Sequence, residues 1–235
     1  GVEGVYEIEG VYDIPRKFGI LGGVAVVGNT TYAAIKGRDA LNIEWDDGPN
    51  ADYNTDTFIK EMQKTASEPG LVLRNQGDPD TAFANAEQVI SADYIGQHMA
   101  QAAMEPVVAV ARIVNGKAEV WAPVQSPWGA RNDVAAALKI PVEDVTLHKT
   151  LLGGAFGRKS KSDFVVEAAV LSQKLSGAPV LMQWTREDDI RHGFYHAASV
   201  ERVEMAIDKK GNVTGWRHRT VAPSIVSTFK EDNGY

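Results

Sequence analysis

A glycine-rich loop at residues 153–157 has the residue types best suited to chemistry. Three of its five residues are glycines, Phe156 is its one large side chain, and Arg158, Lys159 and Lys161 follow. Glycines allow positive φ angles and close approach of a ligand to the backbone, and the N-terminus of a following helix offers N–H groups to anions. The pattern would suit a phosphate or pyrophosphate. On spacing alone, however, it favours a tight strand-to-helix turn with solvated basic residues.

Two common nucleotide-binding motifs do not fit this loop. No Gly-Lys-Ser or Gly-Lys-Thr follows at the spacing that an ATP-binding P-loop requires. The glycines are also out of register with the tight-turn and pyrophosphate positions of the dinucleotide fingerprint. The sequence thus argues against ATP chemistry and against a nicotinamide cofactor.

Gln125 lies at a second strand-to-helix junction, where Ser126-Pro127 gives an N-cap followed by proline at the first helical position. Ligands of α/β sheets gather beyond the carboxyl ends of strands. If the strands before Gln125 and before the loop are parallel neighbours, Gln125 and Phe156 share one edge of the sheet. A neutral amide there could donate a hydrogen bond to a ligand oxygen.

Three other segments carry residues that could form a site. Glu105 interrupts an apolar stretch, so it is either buried and hydrogen-bonded or part of a site. His192 and His196 have helical spacing, but Gly193 weakens a helix and the glutamate of a zinc-protease motif is absent. The charged run 186–189 is most simply a solvated turn with local ion pairs.

Hydrophobic periodicity and turn residues predict a mixed α/β chain. Strands are expected at 5–8 and 11–14 as a hairpin, and at 24–27, 41–45, 89–95, 107–114, 118–122, 145–151, 180–184, 199–207 and 213–221. Helices are expected at 32–41, 56–66, 80–87 and 128–138, and from Ser162 to a stop at Gly177.

Composition narrows the function further. The formal net charge of −7 argues against nucleic acid as a partner, so the basic cluster after the loop is a local feature. The absence of cysteine excludes disulfides, thiolate metal sites and an iron–sulfur cluster held by this chain.

No apolar run approaches the ~20 residues of a membrane span, so we expect no membrane-spanning helix. Because the sequence opens within a strand-like segment without an initiator Met, we expect it to be a piece of a longer polypeptide.

Several dispersed motifs together resemble the molybdenum-binding subunits of the xanthine dehydrogenase and aldehyde oxidase group, in particular the large (beta) subunits of isoquinoline 1-oxidoreductase-like aldehyde dehydrogenases. The resemblance covers most of the chain. The motifs, in order, are Ala40 to Pro49, Met104-Glu105-Pro106, Trp121 to Gln125, Gly153 to Arg158, and Trp184 to His192.

The resemblance implies an α+β (mixed α/β) fold with two parts. Residues 1–85 would be the end of a small α/β hammerhead-like domain with a linker, and residues 86–235 the first part of the molybdenum-cofactor-binding domain. It also implies hydroxylation of an aldehyde or N-heterocycle carbon with oxygen from water. The cofactor would be molybdenum with molybdopterin cytosine dinucleotide, whose own dithiolene sulfurs hold the metal, so no protein ligand to the metal is expected.

The resemblance also assigns roles to the loop and its neighbour. Gln125 would hydrogen-bond a molybdenum oxo ligand, and Phe156 and Gly157 would contact the cofactor's apical oxygen and cover the metal. The remaining cofactor-binding residues would be Gly153, Gly154, Ala155 and Arg158, where Ala155 replaces a third glycine of many relatives.

Substrate and partners follow in the same way. Glu105 and His196 are the expected substrate-pocket residues, with His196 standing where close relatives often have arginine. The resemblance implies a small aldehyde or N-heterocycle as substrate, and Ser160, which replaces a glutamate of purine-oxidising relatives, argues against a purine. The general base is expected beyond Tyr235, so the isolated chain should be inactive.

The expected partners are the remainder of the large subunit and a small [2Fe–2S] subunit, in a bacterial periplasm or cytoplasm. The alternative is a cofactor-free, non-catalytic scaffold or binding domain of the same fold.

Overall fold

The structure, a computed structural model, describes residues 1–10 and 19–224. Its strands are β1 Val2–Ile8, β2 Gly23–Gly28, β3 Gln88–Gly96, β4 Val108–Val114, β5 Lys117–Ala122, β6 Val145–Lys149, β7 Val180–Gln183, β8 Ser199–Ile207 and β9 Val213–Val221. Its α-helices are α1 Thr31–Asp39, α2 Thr55–Ala66, α3 Pro79–Ala84, α4 Pro127–Leu138, α5 Asp163–Lys174 and α6 Arg186–His192. The predicted mixed α/β class is confirmed.

The described chain forms two compact units. The first contains residues 1–10, 19–45 and 100–194, and the second contains 46–99 and 195–224. The predicted domain boundary near residue 85 concerns a longer polypeptide and stays a prediction. None of the described helices has both the length and the apolarity needed to cross a membrane.

The first unit is organised by a four-stranded sheet in the order β6-β5-β4-β7. β4 and β5 form the hairpin predicted from Asn115-Gly116, and both turn residues have positive φ, as a two-residue hairpin loop requires. Alternate residues of β5 face inward, so Ala118, Val120 and Ala122 are buried. They belong to the same core as the apolar faces of α4 and α5.

Helix α5 is the most deeply buried helix of this unit. Phe164, Ala168 and Leu171 form the predicted apolar stripe and are at most 4% exposed. The helix ends at Lys174, shortly before the predicted stop at Gly177. Glycine is needed at 177, because φ is 87° there and a Cβ would lie 2.2 Å from the carbonyl oxygen of Ile113.

The second unit contains the antiparallel sheet β3-β8-β9. Ile59, Met62 and Ala66 on one face of α2 pack against Ala198 and Val200. The predicted strands β8 and β9 are confirmed as an antiparallel pair joined by the turn at 208–211.

Two local predictions are wrong and one cannot be assessed. Residues 41–45 form no strand, because no part of the described chain pairs with them in a ladder, and Trp45 is 63% exposed. Residues 186–189 lie in helix α6 rather than in a solvated turn. Thr185 and Asp188 form a capping box that starts this helix, and Asp189 is buried. The predicted partner strand at 11–14 lies outside the described residues, and β1 pairs with β2.

Candidate functional site

The glycine-rich loop and Gln125 lie at the same edge of the β6-β5-β4-β7 sheet. β5 and β6 are parallel neighbours, with Trp121 opposite His148 and Ala122 opposite Lys149. Because the carboxyl ends of parallel strands meet at one edge, the segments that follow them are adjacent. The expected placement of Gln125 beside the loop is therefore confirmed.

The loop has a tightly constrained backbone. Gly154, Phe156 and Gly157 have φ angles of 90°, 52° and 93°. Phe156 is 67% exposed, and a left-handed conformation is uncommon for an aromatic residue, so the surrounding bonds must hold it. Ala155 is buried without a positive φ, so its methyl group fits where relatives are expected to have glycine.

Gln125 bonds to the far end of the loop in two ways. Its backbone N–H donates to the carbonyl oxygen of Lys159 at 2.9 Å. Its side-chain Oε1 accepts a hydrogen bond from the Gly157 N–H at 3.1 Å. Since Oε1 faces the loop, the Nε2 amide group has donors left for a ligand. Gln125 is exposed, so a ligand can reach it.

Glu105 bonds to the near end of the loop. Its carboxylate accepts from the Gly153 N–H at 3.1 Å and from Lys159 Nζ, and its own N–H donates to the Gly153 carbonyl oxygen at 2.9 Å. Arg186 donates to the carbonyl oxygens of Ala103 and Met104 and so supports the same segment. Glu105 is therefore half-buried and hydrogen-bonded.

The basic residues after the loop form neither a phosphate cradle nor the solvated cluster that their spacing favours. Arg158, Lys159 and Lys161 are 2%, 1% and 8% exposed. Arg158 binds Asp163 through two hydrogen bonds of 2.8 and 2.7 Å. Its guanidinium also lies 5.3–5.9 Å from the centres of the Phe164, Trp184 and Phe194 rings. The turn after Gly157 directs these side chains inward, which their spacing in sequence does not reveal.

His196 belongs to the second unit and is exposed. Its backbone N–H donates to the Met99 carbonyl oxygen at 2.9 Å, and its carbonyl oxygen lies 3.2 Å from His98 Nδ1. His192 ends α6 and Gly193 is extended, so the two histidines do not share a helix. The described residues include no group of three or more His, Cys, Asp or Glu side chains that could hold a metal ion.

Sequence reasoning missed the interacting carboxylates of Asp163, Glu167 and Asp188 on α5 and α6. Glu167 on α5 accepts a hydrogen bond from the Trp184 indole N–H at 3.0 Å. Burial, followed by the negative charge of Asp163, raises the pKa of Glu167 to about 8. Burial acts to raise the pKa of Asp188. Hydrogen bonds from Thr185 and the charge of Arg38 outweigh this effect, so the pKa of Asp188 is lowered overall. The apolar stripe of α5 was the only sequence signal that the helix is buried.

Glu167→Gln is expected to flatten the pH dependence of stability. The folded pKa of about 8 exceeds the ordinary value of 4.5, so the folded state binds the proton more tightly. The stabilisation is complete below pH 4.5 and is lost as pH rises towards 8, by at most about 1.4 kcal/mol per pH unit. Urea unfolding of the wild-type protein and of Glu167→Gln across this pH range measures how the free energy of unfolding depends on pH. The same dependence in both proteins would contradict the raised pKa of Glu167.

The sequence matches known proteins over most of its length. Residues 63–225 match the molybdopterin cofactor-binding domain family. The chain is 31% identical over 209 residues to the membrane-bound aldehyde dehydrogenase (pyrroloquinoline-quinone) of Gluconacetobacter polyoxogenes, covering 86% of this chain and 26% of that protein. It is 30% identical over 213 residues to isoquinoline 1-oxidoreductase subunit beta of Brevundimonas diminuta, covering 86% and 27%. The chain thus spans about a quarter of the length of these curated relatives.

The fold also matches solved structures. Quinoline 2-oxidoreductase from Pseudomonas putida 86 aligns with a TM-score of 0.69 and 18% identity, over 94% of this chain and 32% of that one. The family match and the two relatives of 31% and 30% identity confirm the sequence resemblance to the molybdenum-binding subunits of the xanthine dehydrogenase and aldehyde oxidase group. Because the family pattern covers more than half of its residues, the chain belongs to the molybdopterin cofactor-binding domain family.

Proposed function

We propose that this chain forms one wall of the molybdopterin site in the large subunit of a molybdenum hydroxylase. The substrate would be a small aldehyde or an N-heterocycle, with water as the oxygen source. The observation that carries the proposal is the hydrogen bond between Gln125 and Gly157, which joins two strand ends at one exposed edge of the sheet. The names of two relatives, an aldehyde dehydrogenase and an isoquinoline 1-oxidoreductase subunit, support the substrate class.

The residues present fit such a cofactor. A Cβ placed on Gly157 would meet no atom within 4 Å, so the backbone there faces open space. Met104, Leu151 and Phe156 are 88%, 93% and 67% exposed, and apolar side chains exposed in this way favour a contact surface.

Each residue of this wall has a definite task in the proposal. Gln125 would offer its Nε2 donors to the cofactor, because its Oε1 accepts the Gly157 N–H. The Phe156 ring covers the site and limits access of water. The backbone of Gly153, Gly154 and Ala155 borders the pterin. The cofactor, when bound, supplies the transfer of oxygen to the substrate carbon and accepts the two electrons.

Other predicted residues are assigned differently. The guanidinium of Arg158 is bound to Asp163, so any contact of Arg158 with the cofactor would come from its main chain. The roles of Glu105 and His196 in a substrate pocket stay predictions. For the complete protein we propose the cytosine dinucleotide form of the cofactor, a [2Fe–2S] partner subunit and a general base outside this chain. On this proposal the 235 residues alone are inactive.

Metal and pterin analysis of the complete protein tests this function. We expect one molybdenum and one pterin dinucleotide per large subunit, with cytosine released by hydrolysis. Absence of molybdenum and pterin would favour the cofactor-free scaffold. Recovery of pyrroloquinoline quinone instead would also overturn the proposal. Turnover assays with paired aldehyde and N-heterocycle substrates then identify the substrate class.

A further inference from the structure

We propose that Glu105 and Lys159 are a positioning pair that sets the shape of the glycine-rich loop. This inference rests on the proposed function of the loop. The side chain of Lys159 is fully buried, and its ammonium group forms an ion pair with the Glu105 carboxylate. A buried ammonium requires a partner of opposite charge, so the position of one side chain constrains the other.

Glu105 fixes the first residue of the loop. Residues 105 and 153 exchange two hydrogen bonds, one through the Glu105 backbone N–H and one through its carboxylate. The contact is so close that a Cβ on Gly153 would lie 2.5 Å from the Glu105 Cβ. Glycine is therefore needed here for the approach of the 104–106 segment.

Lys159 fixes the other end. Its carbonyl oxygen accepts the Gln125 backbone N–H, while its side chain reaches back under the loop to Glu105. One carboxylate is thus bonded to both residue 153 and residue 159. The segment between them carries Phe156 in its left-handed conformation and the Gly157 N–H that orients Gln125. Breaking the ion pair should loosen this segment without exposing the core.

This geometry favours a supporting role for Glu105, while its predicted role in a substrate pocket stays a prediction. The oxygen Oε2 accepts bonds from two donors of the protein, the Gly153 N–H and Lys159 Nζ. A carboxylate held in this way is suited to supporting the loop. Its effect on the reaction would pass through the positions of Phe156 and Gln125.

The test is the double variant Glu105→Gln/Lys159→Met in the complete protein. The introduced glutamine is uncharged but keeps an acceptor for the Gly153 N–H, and the methionine fills the space of the lysine chain, so the fold should be retained. Hydrogen exchange is measured on protein expressed in cells that cannot make the pterin. We expect amides of residues 153–157 to exchange about 10-fold faster, with α5 unchanged. In cofactor-containing protein, kcat should fall about 10-fold to 100-fold with little change in KM.

The matched control is Lys117→Met/Asp144→Asn. This pair has an N–O distance of 2.9 Å, but the lysine side chain is 69% exposed. We expect no change in exchange or kcat. Unchanged loop exchange in the double variant would overturn the proposal. An equal increase throughout the unit would assign the pair to general stability and would also overturn it. If the double variant does not accumulate, Glu105→Gln alone provides the same comparison.

Because exchange is measured without cofactor, the result does not depend on the proposed function. Failure of that function would appear as missing molybdenum in the wild-type protein. Failure of the positioning role would appear as a loop that is unaffected by the variants.

Discussion

Gln125→Glu in the complete protein is expected to lower kcat at least about 100-fold while the pterin remains bound. The glutamate keeps an oxygen for the Gly157 N–H, which Gln125 Oε1 accepts at 3.1 Å, but removes the Nε2 donors. Loss of one oriented donor to a developing charge typically lowers kcat about 10²–10³-fold. Steady-state kinetics with pterin quantification measure both effects.

Gln125→Ala provides the second arm of this experiment. It removes the donor and the acceptor together, but the backbone N–H of residue 125 still reaches the Lys159 carbonyl oxygen. Gln183→Ala is the control, since Gln183 is an exposed glutamine on β7 of the same sheet. Wild-type kcat in Gln125→Glu with the pterin bound would rule out the donor role.

Arg158→Met is expected to destabilise the first unit by about 3–5 kcal/mol, because it leaves the buried carboxylate of Asp163 without its cation. The two side chains are 2% and 5% exposed and are joined by two hydrogen bonds. The variant also loses the contacts of the guanidinium with three aromatic rings. Native-state hydrogen exchange of α5 amides measures the opening free energy in the complete protein.

Arg112→Met gives the matched comparison at an exposed pair. Arg112 is bound to Glu119, but their side chains are 46% and 30% exposed. We expect a loss of less than about 1 kcal/mol. The double variant Arg158→Met/Asp163→Asn should recover part of the lost stability, since it removes both charges. Equal losses at Arg158 and Arg112 would show that burial does not govern the effect.

The elements around the site were predictable because their signals are local. Asn115-Gly116 allows the positive φ angles of the hairpin, and Pro127 suits the first turn of α4. The strand–helix–strand order between β5 and β6 then implies parallel neighbours. That topology brings Gln125 beside Phe156 without any knowledge of side-chain contacts.

The supporting interactions were not predictable from local pattern. Glu105 and Lys159 are 54 residues apart, and no spacing rule connects them. Arg158 and Lys159 follow a glycine loop in sequence, which suggested solvent or a phosphate, yet tertiary packing turns both inward. Residues 41–45 alternate like a strand, but none of the described residues pairs with them in a ladder. Strand pairing depends on residues that are distant in sequence, so the local pattern does not reveal it.

The most direct test of the central claim is anomalous diffraction at the molybdenum absorption edge from crystals of the complete protein. We predict a molybdenum peak at the edge of the β6-β5-β4-β7 sheet. It should lie beside Phe156 and the Gln125 amide group. A molybdenum peak away from the loop at residues 153–157 would contradict this placement of the cofactor.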